Sequence, residues 1–314
     1  MSTDSAIPVS GKTFLCVCLN PVLQKTLVYE RLAPGEVNRT ARSRIDPAGK
    51  GLGPTRVLAQ LGERSIHLTG LGGPTRSWFL ELCAAEALDV AWFESGAPIR
   101  FCTTLVETAA GRATELVEEA LPVAAEATDR LFARYAELLP RTDAVLLSGT
   151  VASGYAPGTM GELARRAAAA GKRLYLDLKG HDLADCLASR PVVAKPNLEE
   201  LAASLGADYA VLRVDPAAAR ACVAEAGRRW FAESGTYLVV TRGHEPVLYW
   251  DGGLLGELAV ATVAAVNPIG SGDAFGAGLA RALEAGAPLA DAVAEGVRLG
   301  GLNAACLKPG SLRD

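Results

Sequence analysis

Asp273 is the residue in this sequence best placed to do chemistry. It ends the run Asn267-Pro268-Ile269-Gly270-Ser271-Gly272-Asp273 and is followed by Ala274-Phe275-Gly276-Ala277-Gly278. Gly270 and Gly272 permit backbone conformations closed to other residues and let a ligand approach the main chain. A helix opening here would aim its first N–H groups at one point, where the helix dipole favours negative charge. The loop around Ser271 is therefore an anion site. A carboxylate beside a bound phosphate is awkward unless it has work to do, such as taking the proton of an attacking hydroxyl. The plainer reading, an Asp that caps a helix, stands beside it. Gly276 and Gly278 would be costly inside an ordinary helix, so close packing or close ligand approach is expected. No Gly-x-x-x-x-Gly-Lys-Ser/Thr segment and no complete Gly-x-Gly-x-x-Gly fingerprint occurs, which counts against Walker-type and dinucleotide sites.

Asn197 and Glu200 form a second candidate pair. Mg²⁺ prefers oxygen ligands and often keeps waters between itself and a carboxylate. The same two residues also suit a helix start, with Asn197 as cap and Glu200 three positions on. Lys50, between Gly49 and Gly51, emerges from a flexible backbone; by itself it reads as a solvated charge. Ser148 ends an apolar run, where serine is commonly a turn residue. The three histidines share no ligand motif, so a zinc site is not expected.

These residues need a frame. Short apolar runs (Phe14 to Leu19, Ala144 to Leu147, Leu174 to Leu176, Val192 to Ala194, Leu238 to Val240) alternate with amphipathic ones, the pattern of a mostly parallel sheet flanked by helices. Helical spacing covers Asp129 to Leu139, Thr159 to Ala170 and Pro216 to Glu233, then Asp273 to Glu284 and Leu289 to Cys306 after a strand-like Leu258 to Val263. Gln24 to Tyr29, Arg100 to Glu107 and Ala113 to Val117 alternate polar and apolar residues, as strands with one wet face do. They predict a small antiparallel sheet beside the main body, serving as a lid, a dimer contact or a mere edge extension. A single α/β domain over 1–314 is expected, with the β lid drawn from about 22–47 and 98–120.

A formal net charge of -4 with scattered basic residues counts against nucleic-acid binding. No apolar run reaches the roughly 20 residues that span a bilayer. Met1 to Lys12 reads as a short loose leader, not a signal peptide. Seven dispersed cysteines without Cys-x-x-Cys spacing read as reduced thiols of a cytoplasmic protein.

Gly270-Ser271-Gly272-Asp273 resembles the Gly-Ala-Gly-Asp signature of the ribokinase-like (pfkB-type) carbohydrate kinases. The likeness runs along nearly the whole chain: Leu19-Asn20-Pro21, Pro34-Gly35-Glu36-Val37-Asn38-Arg39, Gly49-Lys50-Gly51, Arg56-Val57-Leu58, Thr114-Glu115-Leu116, Leu147-Ser148-Gly149, Leu176-Asp177 and Lys195-Pro196-Asn197-Leu198-Glu199-Glu200 follow in the family's order. They resemble the 1-phosphofructokinase and tagatose-6-phosphate kinase branch more than ribokinase. The resemblance implies a three-layer α/β fold, ATP and Mg²⁺, a small sugar or sugar-phosphate acceptor, and a homodimer through the lid. It implies that Asp273 is the base, that the loop amides stabilise the transferred phosphoryl group, and that Asn197 and Glu200 belong to the metal and phosphate environment. Lys50 and Arg100 would hold the acceptor's phosphate, with Gly49 and Ser148 on the acceptor side. Lys195, Asn303 and Thr241-Arg242-Gly243 would lie on the nucleotide side, although Pro246 stands where the family usually has another glycine.

The departures fall at the sugar. The family's Asp after Asn-Pro is Gln24 here, and its sugar-binding Asn is Gly53; Pro54-Thr55 and Cys102 also replace usual residues. Each lost hydrogen bond costs about 0.5–1.5 kcal/mol net. The expectation is an active phosphosugar kinase with altered acceptor specificity, in which Gly53 widens the pocket. A non-catalytic sugar-phosphate or nucleotide sensor and a kinase of a nucleoside or other non-sugar alcohol are the alternatives.

Overall fold

The computed structural model describes residues 7–314. The leader expected over Met1 to Lys12 lies partly outside them. Its described part is not loose: Ser10 donates its backbone N–H and its hydroxyl to the buried Glu63 carboxylate, both at 2.8 Å.

The strands in chain order are β1 (Thr13–Cys18), β2 (Val22–Tyr29), β3 (Ser43–Ala48), β4 (Arg64–Leu71), β5 (Asp89–Glu94), β6 (Arg100–Glu107), β7 (Arg112–Val117), β8 (Ala144–Ser148), β9 (Arg173–Asp177), β10 (Val193–Ala194), β11 (Tyr237–Arg242), β12 (Glu245–Trp250) and β13 (Leu255–Leu258). Nine of them form one sheet in the order β13-β12-β11-β10-β9-β8-β1-β4-β5. From β11 through β5 every pairing is parallel; the hairpin β11-β12-β13 closes one edge antiparallel.

The short apolar runs become central strands because both of their faces are covered. Leu15 and Val17 of β1 point into one hydrophobic cluster and Phe14 and Cys16 into the other. The same alternation splits Val145 and Leu147 from Ala144 and Leu146 in β8. Helices Ala127–Leu138, Thr159–Ala169 and Pro216–Ser234 supply the first cluster; Ser271–Glu284 and Leu289–Ala304 supply the second. The result is the expected three-layer sandwich. Among the described residues no helix is long and apolar enough to cross a membrane.

The second sheet has the order β3-β2-β6-β7. Its outer pairs are antiparallel, while β2 and β6 run parallel in register from Val22 opposite Arg100 to Tyr29 opposite Glu107. Burial along β2 alternates after its first three residues, and β7 is almost wholly exposed, so the wet face read from the sequence is there. One expected strand is absent. Leu258 ends its pairing opposite Val247, and residues 259–266 continue without a sheet partner, although Val260 packs on the second cluster. Apolar alternation alone could not reveal that the next β12 residue is Pro246, which has no N–H for the ladder and whose carbonyl is taken by Arg242.

Candidate active site

The parallel strands all deliver their carboxyl ends to one edge of the sheet, the usual place for a ligand in an open α/β fold. Asn20 follows β1, Gly149 follows β8, Asp177 ends β9, Lys195 follows β10, and Thr241 lies near the end of β11. They line a single cavity of about 440 Å³, roofed by Gln24, Arg100 and Cys102 of the lid sheet.

Gly270, Gly272 and Asp273 form the opposite wall. Gly270 is left-handed at φ 84° and is itself the cap of helix Ser271–Glu284. Asp273 lies in the first turn and makes no capping hydrogen bond, so the cap reading does not hold for it. Its carboxyl is instead a group in the cavity. Burial pushes it up to about 7; Lys50 and Lys195 pull it down, while Asp177 and Glu200 oppose them.

Two lysines and three carboxylates meet here. Asp177 holds Lys195 Nζ at 3.2 Å and has Lys50 Nζ at 3.8 Å. Lys50 Nζ donates to Glu200 Oε1 at 3.0 Å. Asp177 raises the Lys50 ammonium well above its ordinary range, outweighing burial, with Glu200 adding to it. Burial works against the charge on Asp177, but Lys195 and Lys50 hold its carboxyl below the ordinary value. Lys50 is thus engaged by carboxylates and is not the free surface cation its glycine-rich surroundings suggested.

Asn197 and Glu200 take the helix-start reading and also line the cavity. Asn197 Oδ1 accepts from the Glu200 amide at 2.8 Å and Glu200 Oε2 accepts from the Asn197 amide at 2.9 Å, a complete capping box for helix Leu198–Leu205. Glu200 still turns Oε1 to Lys50, and both residues line the cavity. Among the described residues no group of three or more His, Cys, Asp or Glu forms a self-sufficient metal cage. Asp177 Oδ1 is buried without a hydrogen-bond partner, 3.8 Å from the Lys50 ammonium that also holds Glu200. An all-oxygen set with one orphaned carboxylate oxygen fits a hard divalent cation that arrives with phosphate oxygens and waters as its other ligands.

Gln24 is buried, its amide nitrogen donating to Thr104 Oγ1 across the lid at 2.7 Å. Arg100 Nη1 donates to the Glu118 carbonyl at 2.7 Å, and its Nε is buried without a partner. Gly49 and Gly53 line the same cavity. Gly53 does not widen the pocket, because the volume a side chain would take is filled by Asp273.

Other expected site residues stand apart from the main cavity. Ser148 borders a small void of about 20 Å³ beneath it, shared with Asp177, Lys195 and Asp273. Arg242 and Gly243 line an adjoining cavity of about 460 Å³ that shares Asn197 and Thr241 with the first. Arg242 donates from Nε to the Pro246 carbonyl at 2.8 Å, which fixes it against its own hairpin. Asn303 is fully buried: it accepts from the Ser271 hydroxyl at 3.2 Å and donates to the Ser311 carbonyl at 2.9 Å. It supports the anion loop from behind. Sequence reasoning gave no role to Asp177, Arg56, Pro309 or Gly310, all of which line the main cavity. The acid at the end of an apolar run was the available signal for Asp177, and the Pro-Gly pair was the signal for a turn at 309–310.

The model of the pfkB family of carbohydrate kinases matches residues 19–312. The chain belongs to that family. A 1-phosphofructokinase of Rhodobacter capsulatus is 32% identical over 278 residues, covering 88% of this chain and 85% of its own length. A tagatose-6-phosphate kinase of Staphylococcus epidermidis is 27% identical over 271 residues, with coverage of 86% and 84%. The crystal structure of phosphofructokinase-2 from Escherichia coli in complex with substrates and products superposes with a TM-score of 0.81 over 93% of both chains, at 21% identity. That likeness establishes the shared fold. Members of the pfkB family are kinases that use ATP and a divalent metal, and the cavity of this pfkB protein brings together the Gly270 loop, a carboxyl of raised pKa at Asp273, and the carboxylates of Asp177 and Glu200.

Proposed function

We propose that this chain transfers the γ-phosphoryl group of ATP to a hydroxyl of a sugar phosphate, as a 1-phosphofructokinase-like enzyme. The observation that carries the reading is the Asp273 carboxyl, raised to about 7, one turn from the Gly270 loop and facing the lid-covered cavity. A base of that strength takes a proton from a hydroxyl as it attacks, and the loop amides receive the negative charge on the transferred group. Lys195 and Lys50 flank the same point and hold the nucleotide phosphates and the acceptor in line. Mg²⁺, held by Glu200 and Asp177 with Asn197 nearby, would supply neutralisation of charge on the phosphate oxygens. Arg100, with an unpaired Nε, grips the acceptor's own phosphate. The cavity beside Arg242 and Gly243 takes the nucleotide base.

Acceptor choice follows from Gln24, whose amide nitrogen spends one N–H on Thr104 and leaves its carbonyl oxygen and second N–H for a substrate hydroxyl. Pairing of two chains through the lid, in a cytoplasmic setting, accords with the exposed Leu116 and Val117 on β7. ADP release with ATP, Mg²⁺ and a panel of fructose-1-phosphate, fructose-6-phosphate, tagatose-6-phosphate, free sugars and nucleosides tests the reading, with Asp273→Ala as control. Turnover restricted to phosphorylated sugars and lost in the variant supports it. Ligand binding without turnover would replace it with a sensor of the same fold.

A further inference from the structure

Gly53, Gly270 and Gly310 come from three separate stretches of chain and meet behind the catalytic carboxylate. A β-carbon on Gly270 would overlap the Gly310 amide nitrogen; one on Gly310 would stand 2.7 Å from the Gly53 Cα; one on Gly53 would stand 2.8 Å from Asp273 Oδ2. The anion loop, the 309–310 turn and the helix Leu52–Gln60 are therefore in backbone contact, and the helix backbone lies directly against the Asp273 side chain. Whatever sets the position of Gly310 sets the spacing between the loop amides and Asp273.

That position is set by Arg56. Its side chain is 2% exposed, and it is the largest fully buried side chain among the described residues. Nη1 donates to the carbonyls of Pro309 at 3.1 Å and Gly310 at 3.4 Å. Nη2 donates to the carbonyl of Pro47, next to the last residue of lid strand β3, at 2.7 Å. Nε and Nη2 fork onto the Glu86 carboxylate at 2.6 and 3.2 Å. Glu86 also takes Lys308 Nζ at 2.8 Å, immediately before the turn. Burial would raise the Glu86 carboxyl, but Arg56 and Lys308 together hold it below its ordinary value. One guanidinium thus joins the root of the lid, the end of helix Thr75–Ala85 and the turn that backs the anion loop.

We propose that Arg56 is a positioning residue for phosphoryl transfer: through Pro309 and Gly310 it holds the Gly270 loop and Asp273 at reacting distance, and through Pro47 it ties that spacing to the lid. The proposal rests on the kinase reading above. Its chemistry is specific to arginine. Lysine keeps the charge but has no planar fork, so it cannot serve the Glu86 carboxylate and carbonyls on two sides at once. The lost donors leave buried carbonyls unsatisfied, and the turn relaxes away from the loop.

The test uses the full chain with Arg56→Lys and Gly310→Ala, plus Leu131→Ala as a remote core cavity that costs stability alone. Steady-state kinetics and hydrogen exchange of the segments 267–275 and 305–314 are measured for each. Arg56→Lys and Gly310→Ala are expected to lower kcat about 10- to 100-fold, as misplacement of reacting groups does. KM for both substrates should stay within about threefold, the mark of an interaction realised in the transition state. Exchange in both segments should quicken about tenfold in Arg56→Lys. Leu131→Ala should lower the melting temperature and leave kcat and these segments unchanged. An Arg56→Lys protein with kcat within about twofold of the parent overturns the proposal, and so does a loss that Leu131→Ala reproduces at equal destabilisation. If Arg56→Lys does not fold, Gly310→Ala decides, since it leaves the guanidinium in place: unchanged kcat overturns. If the parent turns over no acceptor, the kinase reading fails separately. A role in phosphoryl transfer falls with it, and the exchange measurement then decides only whether Arg56 holds the turn against the loop, unchanged segments sinking that as well.

Discussion

The backbone of Gly53 lies against the carboxylate of Asp273: a β-carbon at position 53 would stand 2.8 Å from both Cβ and Oδ2 of the aspartate. Glycine at this point therefore shapes the base, not an enlarged sugar pocket. Gly53→Ala is expected to displace the carboxylate and lower kcat by about tenfold or more. Rates equal to those of the parent enzyme would mean that the helix Leu52–Gln60 yields more readily than its buried contacts imply.

Removing the carboxylate separates catalysis from stability. Asp273→Asn should lose about 10²–10⁴-fold in kcat, the contribution of a positioned general base. Its effect on folding has the opposite sign. The folded pKa of about 7 lies above the ordinary 3.8, so the native state binds the extra proton between those values and parent stability falls as pH rises through them. The variant should melt higher than the parent at pH 8 and show no such advantage at pH 4, as measured by thermal melts at both.

The same carboxyl sets the rate profile. kcat/KM should fall below about pH 7 with unit slope, because protonated Asp273 cannot accept the hydroxyl proton. Lys50 and Lys195 both depress its pKa, so Lys50→Met should move the midpoint upward as well as weaken substrate binding. A midpoint that stays in place would show that the limb reports another group.

Asn197 separates capping from catalysis. Asn197→Ala removes the oxygen that accepts the Glu200 amide and should cost about 1 kcal/mol in a denaturant titration. Asn197→Asp retains that acceptor and should recover the stability. If both variants are equally destabilised, the capping box contributes little here.

The layers of this fold were legible wherever a strand is buried on both faces, since Phe14 to Leu19 and Leu238 to Val240 have no polar residue to misplace. The lid was legible for the opposite reason: one wet face imposes alternation along β2 and β6. Residues 259–263 were not, because their apolar pattern resembles a strand's while sheet membership depends on a partner that can bond, and the facing residue of β12 is Pro246. At the site, the anion loop declared itself locally through Gly270. The pairing of Lys50 with Glu200 did not, since it spans 150 positions and nothing near either residue announces the other. Arg56 was visible only as one member of a family-like segment; its bonds to Pro309 and Gly310 cross 253 and 254 positions.

Those separations order the acquisition of activity in time. Helices and adjacent strand pairs close short loops, whereas the wall behind Asp273 requires residues near 50, 270 and 310 to meet, contacts that come late because their loop entropy is met before they give anything back. During refolding from denaturant, helical signal should therefore recover before catalysis does. The rate of regained turnover becomes a clock for the last long-range contacts, and the glycine junction is the part of the molecule that it times.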